Sequence, residues 1–143
     1  MAEPGPLLLD THVWLWVVHG ERGQLSAGAL SEIEDASRRG DVLVSAISVW
    51  EVAMLEAKGR ISMSRPVEDW VVAALGAPGT RLLELSPEIA IQSTRLPGTV
   101  HGDPADRILL ASARVTGARL ATRDRGIVAY AQAGHMVVLD VGR

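Results

Sequence analysis

The sequence predicts an α/β fold, a three-layer α/β/α sandwich with a mostly parallel central sheet. Two observations carry that expectation. Short apolar runs, the first being Leu7-Leu8-Leu9, alternate along the chain with helical patterns. A continuous apolar run bounded by a turn reads as a strand covered on both faces. Strands separated by helices need crossover connections, which set them parallel and place helices on both sides of the sheet.

The elements follow in order. After Leu7–Leu9 and Asp10, a helical pattern runs from Val13 to Val18, and His19 to Gln24 reads as a loop. Ser26 caps a helix to about Arg39, which Gly40 ends. Asp41 to Ser45 is a second strand, followed by a helix from Ile47 to Lys58 that stops at Gly59. Pro66 opens a helix to Leu75, and Gly76 to Gly79 breaks the chain. Arg81 to Leu85 is a strand, and Ser86-Pro87 begins a helix ending before Pro97. Asp103-Pro104 begins a long helix to Val115, ended at Gly117. A strand over Arg119–Thr122, a helix over Asp124–Ala133 and a strand over Met136–Leu139 complete the series.

Composition excludes several classes. The chain has 143 residues, 48% of them hydrophobic and 22% charged, which suits one soluble domain and rules out disorder. It has no cysteine, so neither a disulfide scaffold nor a thiolate metal site is available. The N-terminus lacks the basic flank and apolar core of a signal peptide, and no run is long enough to cross a bilayer, so the expectation is a cytoplasmic protein with no membrane association. Walker A, dinucleotide-binding, zinc-protease and serine-hydrolase signatures are all missing. A net charge of −3 argues against a chain coated for duplex DNA, although Arg107 to Arg125 holds five arginines against one acid, Asp124. Arginine suits bidentate phosphate contacts.

The acids carry the functional signal. Each has a plain structural role open to it: Asp10 and Asp124 as helix caps, Ser48 with Glu51 as a capping box, Asp103 as a cap with Asp106 in the first turn. Together they resist it. Glu51 falls in the stripe Ile47, Trp50, Glu51, Met54 and Leu55, the spacing of a core-facing side. Asp106 shares a face with Leu109, Leu110 and Ala113. Unpaired carboxylates on such faces are costly, and a bound cation removes the cost. In an open α/β sheet ligands sit outside the carboxyl ends of the strands, where Asp10 and Asp124 lie. Four hard oxygen ligands without cysteine favour Mg²⁺ or Mn²⁺ over zinc. Thr11 and Thr122 flank these carboxylates and could hold them or a metal-bound water, although turn capping is an equal alternative. His12 and His101 lie near the acids without zinc-type spacing, which suits a supporting role. His19 and His135 read as loop residues, and Trp14, Trp16, Trp50 and Trp70 as packing residues.

The set Leu-Leu-Leu-Asp10-Thr-His, Ile-Ser-x-Trp-Glu51, Asp103-Pro-Ala-Asp106-Arg-Ile-Leu and Thr122-Arg-Asp124 resembles the PIN-domain family, and within it the VapC-type ribonuclease toxins. The resemblance spans nearly the whole chain, with the four motifs in family order, and implies one PIN-like nuclease domain over residues 1–143. It implies Asp10, Glu51, Asp106 and Asp124 as metal-binding catalytic acids, with one or two Mg²⁺ or Mn²⁺ ions. Asp103 matches a less essential position and stands as a helix cap or supporting group, as does Ser48. Arg107, Arg123 and Arg125 are candidates for flanking phosphates. The resemblance further implies endonucleolytic cleavage of single-stranded or structured RNA, a cognate antitoxin protein and a toxin homodimer. Two other readings stay open on the residues alone. A Mg²⁺-dependent phosphatase lacks its second Asp, since Thr11 and His12 follow Asp10; a non-catalytic α/β binding domain would use the acids only as caps.

Overall fold

A computed structural model describes residues 5–100 and 102–143 of the chain. His101, placed near the acids by the sequence, lies outside the described residues.

Five strands form one sheet in the order β3-β2-β1-β4-β5, every neighbouring pair parallel. They are β1 (Leu7–Leu9), β2 (Val42–Ser45), β3 (Thr80–Leu83), β4 (Arg119–Thr122) and β5 (Val138–Asp140). The helices between them are α1 (Thr11–His19), α2 (Ala27–Arg38), α3 (Ala46–Ala57), α4 (Val67–Leu75), α5 (Pro87–Gln92), α6 (Pro104–Thr116) and α7 (Arg125–Gln132), with a short 3-10 turn at Arg22–Gln24. The all-leucine β1 is the central strand, and none of its residues reaches solvent.

Because side chains alternate along a strand, β1 feeds both cores. Leu7 and Leu9 join Val42, Val44, Trp14, Ile33 and Trp70 on the side of α1, α2 and α4. Leu8 joins Leu43, Leu109, Leu110, Leu120, Ile127 and Tyr130 on the side of α6 and α7. The aliphatic bulk expected from a chain without phenylalanine is supplemented by an edge-on pair, Trp14 and Trp70, at 5.0 Å between ring centres. The Trp70 Nε1–H donates to His19 Nε2 at 3.1 Å, so His19 closes α1 over that core.

Several boundaries and faces differ from expectation. Helix α1 begins at Thr11 rather than Val13, because Asp10 itself is the cap and its Oδ1 accepts from Thr11 N–H at 2.7 Å. Helix α5 stops at Gln92, short of Pro97: the Ser93 and Thr94 hydroxyls take the carbonyls of Ala90 and Ile91 at 2.7 Å, offering the backbone a local alternative to helix. Strand β3 runs over Thr80–Leu83 instead of 81–85, and β5 is shifted toward the C-terminus, each following the register of its one neighbour. Helix α3 is turned from the predicted stripe. Its buried line is Ser48 and Val52, so Glu51 lies at the margin of the core and Trp50 is 55% exposed rather than a packing residue. Among the described residues no helix is long and apolar enough to cross a membrane.

The strand order reverses at β1, since β2 and β3 extend to one side of it and β4 and β5 to the other. Crevices in open α/β sheets form at this switch, outside the carboxyl ends of the two central strands. Those ends are Asp10 after β1 and Thr122 with Asp124 after β4.

One turn that sets the sheet is strictly glycine. Gly79 has φ of +83°, and a Cβ there would lie 2.0 Å from the Ser37 carbonyl oxygen, where α2 meets the entry to β3. Gly20 has φ of +69° with open space around it. Gly20→Ala should therefore cost about 1–2 kcal/mol, the left-handed penalty alone, and Gly79→Ala clearly more. Urea denaturation of the two variants checks the order; equal losses would contradict it.

Candidate metal centre and its acidic cleft

Four side chains from four places in the sequence line one cleft of about 310 Å³: Asp10, Glu51, Asp106 and Asp124, with His12, Val13, Trp16 and Arg123 completing the wall. Three of the acids are delivered by the end of an element and the fourth, Glu51, by the middle of α3. Asp10 terminates β1 and caps α1; Asp124 follows β4 and caps α7, its Oδ1 accepting from Gly126 N–H at 2.8 Å and Ile127 N–H at 3.2 Å. Asp106 sits in the first turn of α6, which Asp103 caps by accepting from Asp106 N–H at 2.9 Å. Glu51 is presented from α3. The capping roles open to Asp10, Asp103 and Asp124 are therefore real. They coexist with convergence, since a cap leaves carboxylate oxygens to spare.

Two hydroxyls hold the acids in place. Thr122 Oγ1 donates to Asp10 Oδ2 at 2.7 Å, tying β4 to β1 across the switch. Thr11 Oγ1 lies 2.6 Å from Glu51 Oε1 and 2.8 Å from Ser48 Oγ. A hydroxyl has one proton and a carboxylate can only accept, so Thr11 donates to Glu51 and accepts from Ser48. Thr11, Ser48 and Thr122 are fully buried, which fixes the rotamers of this relay. Among the described residues no donor reaches the Asp106 carboxylate, Glu51 Oε2 or Asp124 Oδ2. As oriented, no three His, Asp or Glu side chains among the described residues are grouped to ligate one ion. The four carboxylates border a shared space instead of meeting at one point.

The electrostatics record the crowding. Burial raises the Asp10 carboxyl above its ordinary value, against the lowering hydrogen bonds from Thr122 and Thr11. Burial also raises Glu51, opposed by the Thr11 hydroxyl and assisted by the charges of Asp10 and Asp103. Asp106 is pushed up to about 6, first by burial and then by Asp103, Asp10, Glu51 and Asp124. Such shifts mark carboxylates that are costly to hold ionised together.

The arginines divide. Arg123 lines the cleft, with its Nη1 donating to Gln24 Oε1 at 2.6 Å and its guanidinium 5.9 Å from the Trp16 ring centre. Arg125 is engaged by Asp140 through two contacts of 2.6 and 2.8 Å. Arg107 donates to the carbonyls of Val100 and Ser93 at 3.1 and 3.5 Å, holding the segment before α6. His12 is exposed at the cleft mouth, its ring 6.2 Å from that of Trp16. Sequence reasoning missed this Trp16–Arg123 pairing. Ser48, expected as a cap or a supporting group, supports Thr11 instead of capping, because Ser45 caps α3.

The family model for the PIN domain matches residues 7–133, which include all four acids. The chain belongs to the PIN-domain family. It is 38% identical over 119 residues to Ribonuclease VapC22 of Mycobacterium tuberculosis, an overlap covering 83% of this chain and 87% of that protein. Solved structures with the same fold include VapBC2 from Rickettsia felis bound to a fragment of its promoter DNA, at TM-score 0.67 and 12% identity, covering 93% of this chain and 96% of that one. DNA-bound VapBC from Salmonella typhimurium matches at TM-score 0.64 and 15% identity, over 94% and 97%. A toxin–antitoxin complex from Klebsiella pneumoniae matches at 0.59 and 21%, over 93% and 95%.

The raised Asp106 carboxyl gives a stability test without metal. The folded state holds that proton more tightly than the unfolded chain, so the fold gains stability as pH falls from about 6 to the ordinary value of 3.8 and carries the full repulsive cost above about 6. Asp106→Asn in the metal-free protein should therefore melt higher than the parent at neutral pH, with the gap closing as pH falls toward 3.8. Scanning calorimetry across that range reads it. A variant less stable at every pH would make Asp106 a helix-end group only, favoured by the helix dipole.

Proposed function

We propose that this chain is a divalent-metal-dependent endoribonuclease and the toxin of a toxin–antitoxin pair. The observation that carries the reading is the convergence of Asp10, Glu51, Asp106 and Asp124 on one cleft at the switch point of the sheet. The name of the ribonuclease relative supports RNA as the substrate class. The four acids would hold one or two ions of Mg²⁺ or Mn²⁺: their donors are hard oxygens, several of those oxygens meet no donor among the described residues, and burial and the neighbouring charges raise the Asp106 carboxyl. When bound, the metal supplies an activated water and a Lewis acid for a phosphodiester oxygen.

The rest of the work falls to the chain. Thr122 and Thr11 fix the Asp10 and Glu51 carboxylates, as hydrogen-bonded supports of metal ligands commonly do. Arg123 presents positive charge at the cleft and would meet a phosphate beside the cleaved one. Its guanidinium is held by Gln24 and over the Trp16 ring, which limits the entropy lost on contact. Arg107 and Arg125 act on their own structure, the first bracing the segment before α6 and the second pairing with Asp140.

The partner protein has a candidate seat. On the far face from α6, an apolar groove of about 710 Å³ runs among α1, α2 and α4, lined by Trp14, Val17, Ile33, Met63, Trp70 and Ala73. A groove with an apolar lining suits a segment of another chain, and the toxin–antitoxin complexes among the structural relatives support an antitoxin segment as its occupant. The same reading puts the protein in the cytoplasm, where RNA is met, and working as a homodimer.

Purified protein incubated with total RNA and Mg²⁺ or Mn²⁺ should produce new 5′ ends at defined sites, and chelator should suppress them. Glu51→Gln should abolish this cleavage while the melting transition stays cooperative. Cleavage that persists in chelator, or a retained rate in folded Glu51→Gln, would overturn the metal assignment.

A further inference from the structure

Beside the acidic cleft lies a second cavity of about 210 Å³ that shares two of its acids, Asp106 and Asp124, as part of its lining. Apart from Thr99, Gly102 and Gly126, its other walls are apolar: Val100 from the segment before α6, Leu110 from α6, and Ile127 and Tyr130 from α7. The shape is held from behind. The Tyr130 hydroxyl donates to the Pro97 carbonyl at 2.5 Å and its ring stacks on His135 at 4.5 Å, while Arg107 takes the Val100 carbonyl. These bonds brace the segment against α7, so the cavity is built rather than left over. Two of its lining residues are glycines set close against the shared acids. A Cβ at Gly102 would lie 2.7 Å from the Asp106 Cβ, and at Gly126 one would lie 3.2 Å from Asp124 Oδ1.

We propose that this pocket receives one unpaired nucleobase of the RNA, next to the phosphodiester held at the acidic cleft. The proposal rests on the nuclease reading and deepens it. The cavity falls below the roughly 300–1,000 Å³ typical of drug-sized ligands, which leaves room for a single flat ring system. Apolar and aromatic walls suit the faces of a base, and bases are read in single-stranded RNA by being splayed from the strand into such pockets. A base is one sugar away from its own phosphate, which is the relation between two cavities with a common wall. An anionic group would be rejected by the two shared carboxylates; a neutral base is not. The pocket therefore selects an unpaired position and rejects a duplex, whose bases are stacked inward.

The test uses the full chain with Mn²⁺ and an RNA oligomer containing one mapped cleavage site, plus a series in which each nucleotide around that site is made abasic in turn. One abasic position should lower kcat/KM on the order of tenfold or more, the scale of one base–aromatic contact. Val100→Phe, which fills the pocket, should produce a similar loss on the intact oligomer, mostly in KM. The two losses should not multiply, because a missing base cannot be obstructed. Ile127→Ala, which enlarges the pocket, should shift the preference at that same position toward purines, and it keeps the proposal testable if Val100→Phe folds poorly. Uniform tolerance of abasic positions, or multiplying losses, overturns the subsite while leaving the nuclease intact. No cleavage of any oligomer under any metal overturns the nuclease reading and the subsite with it.

Discussion

The hydrogen bond between the Thr122 hydroxyl and the Asp10 carboxylate is the contact on which the site depends. It crosses the one place in the sheet where the strand order turns, and it joins residues 112 positions apart in sequence. Asp10 is held from both sides, by Thr122 at Oδ2 and by its own helix start at Oδ1. Leu7, Leu8 and Leu9 leave it no freedom along the strand, because each is committed to a core on one face or the other. The first acid is thus fixed by packing, and the other three are arranged around it.

What surrounds it is a deliberate imbalance. Native proteins rarely leave half-buried carboxylates without donors, yet here Asp106 has none among the described residues and feels four neighbouring acids. Hydrophobic burial on two faces of a five-stranded sheet supplies the stability that lets this repulsion persist. Of the three arginines next to these acids in sequence, Arg107 and Arg125 are bound elsewhere, and among the described residues Arg123 is the one that lines the cleft. The site is left short of positive charge, which is the condition for taking up a cation and, through it, an anionic strand.

Much of this was legible in the chain. Alternating apolar runs and helices specify a parallel sheet, and capping chemistry at Ser26, Ser86 and Asp103 places helix starts within a residue. The convergence of the four acids on one cleft was legible too: Asp10 and Asp124 as caps at the carboxyl ends of strands, Glu51 and Asp106 as carboxylates on apolar helix faces. Helix rotation was not. Glu51 and Trp50 look equally core-facing by spacing, and only the packing of α3 on its neighbours, through Val52, decides which turns inward. Arg125 and Arg123 are likewise indistinguishable in sequence, since the choice between them depends on Asp140, fifteen residues away on β5. Long-range partners, not local pattern, settle such cases.

The central claim is that these carboxylates form one divalent-cation site. Titration of Mn²⁺ into the metal-free protein at neutral pH, read by calorimetry with electron paramagnetic resonance of the free ion, tests it directly. The account predicts saturable binding of one or two ions, strongly weakened in both Asp10→Asn and Asp124→Asn although the residues come from opposite ends of the chain. Absence of binding, or affinity unchanged in both variants, would contradict it.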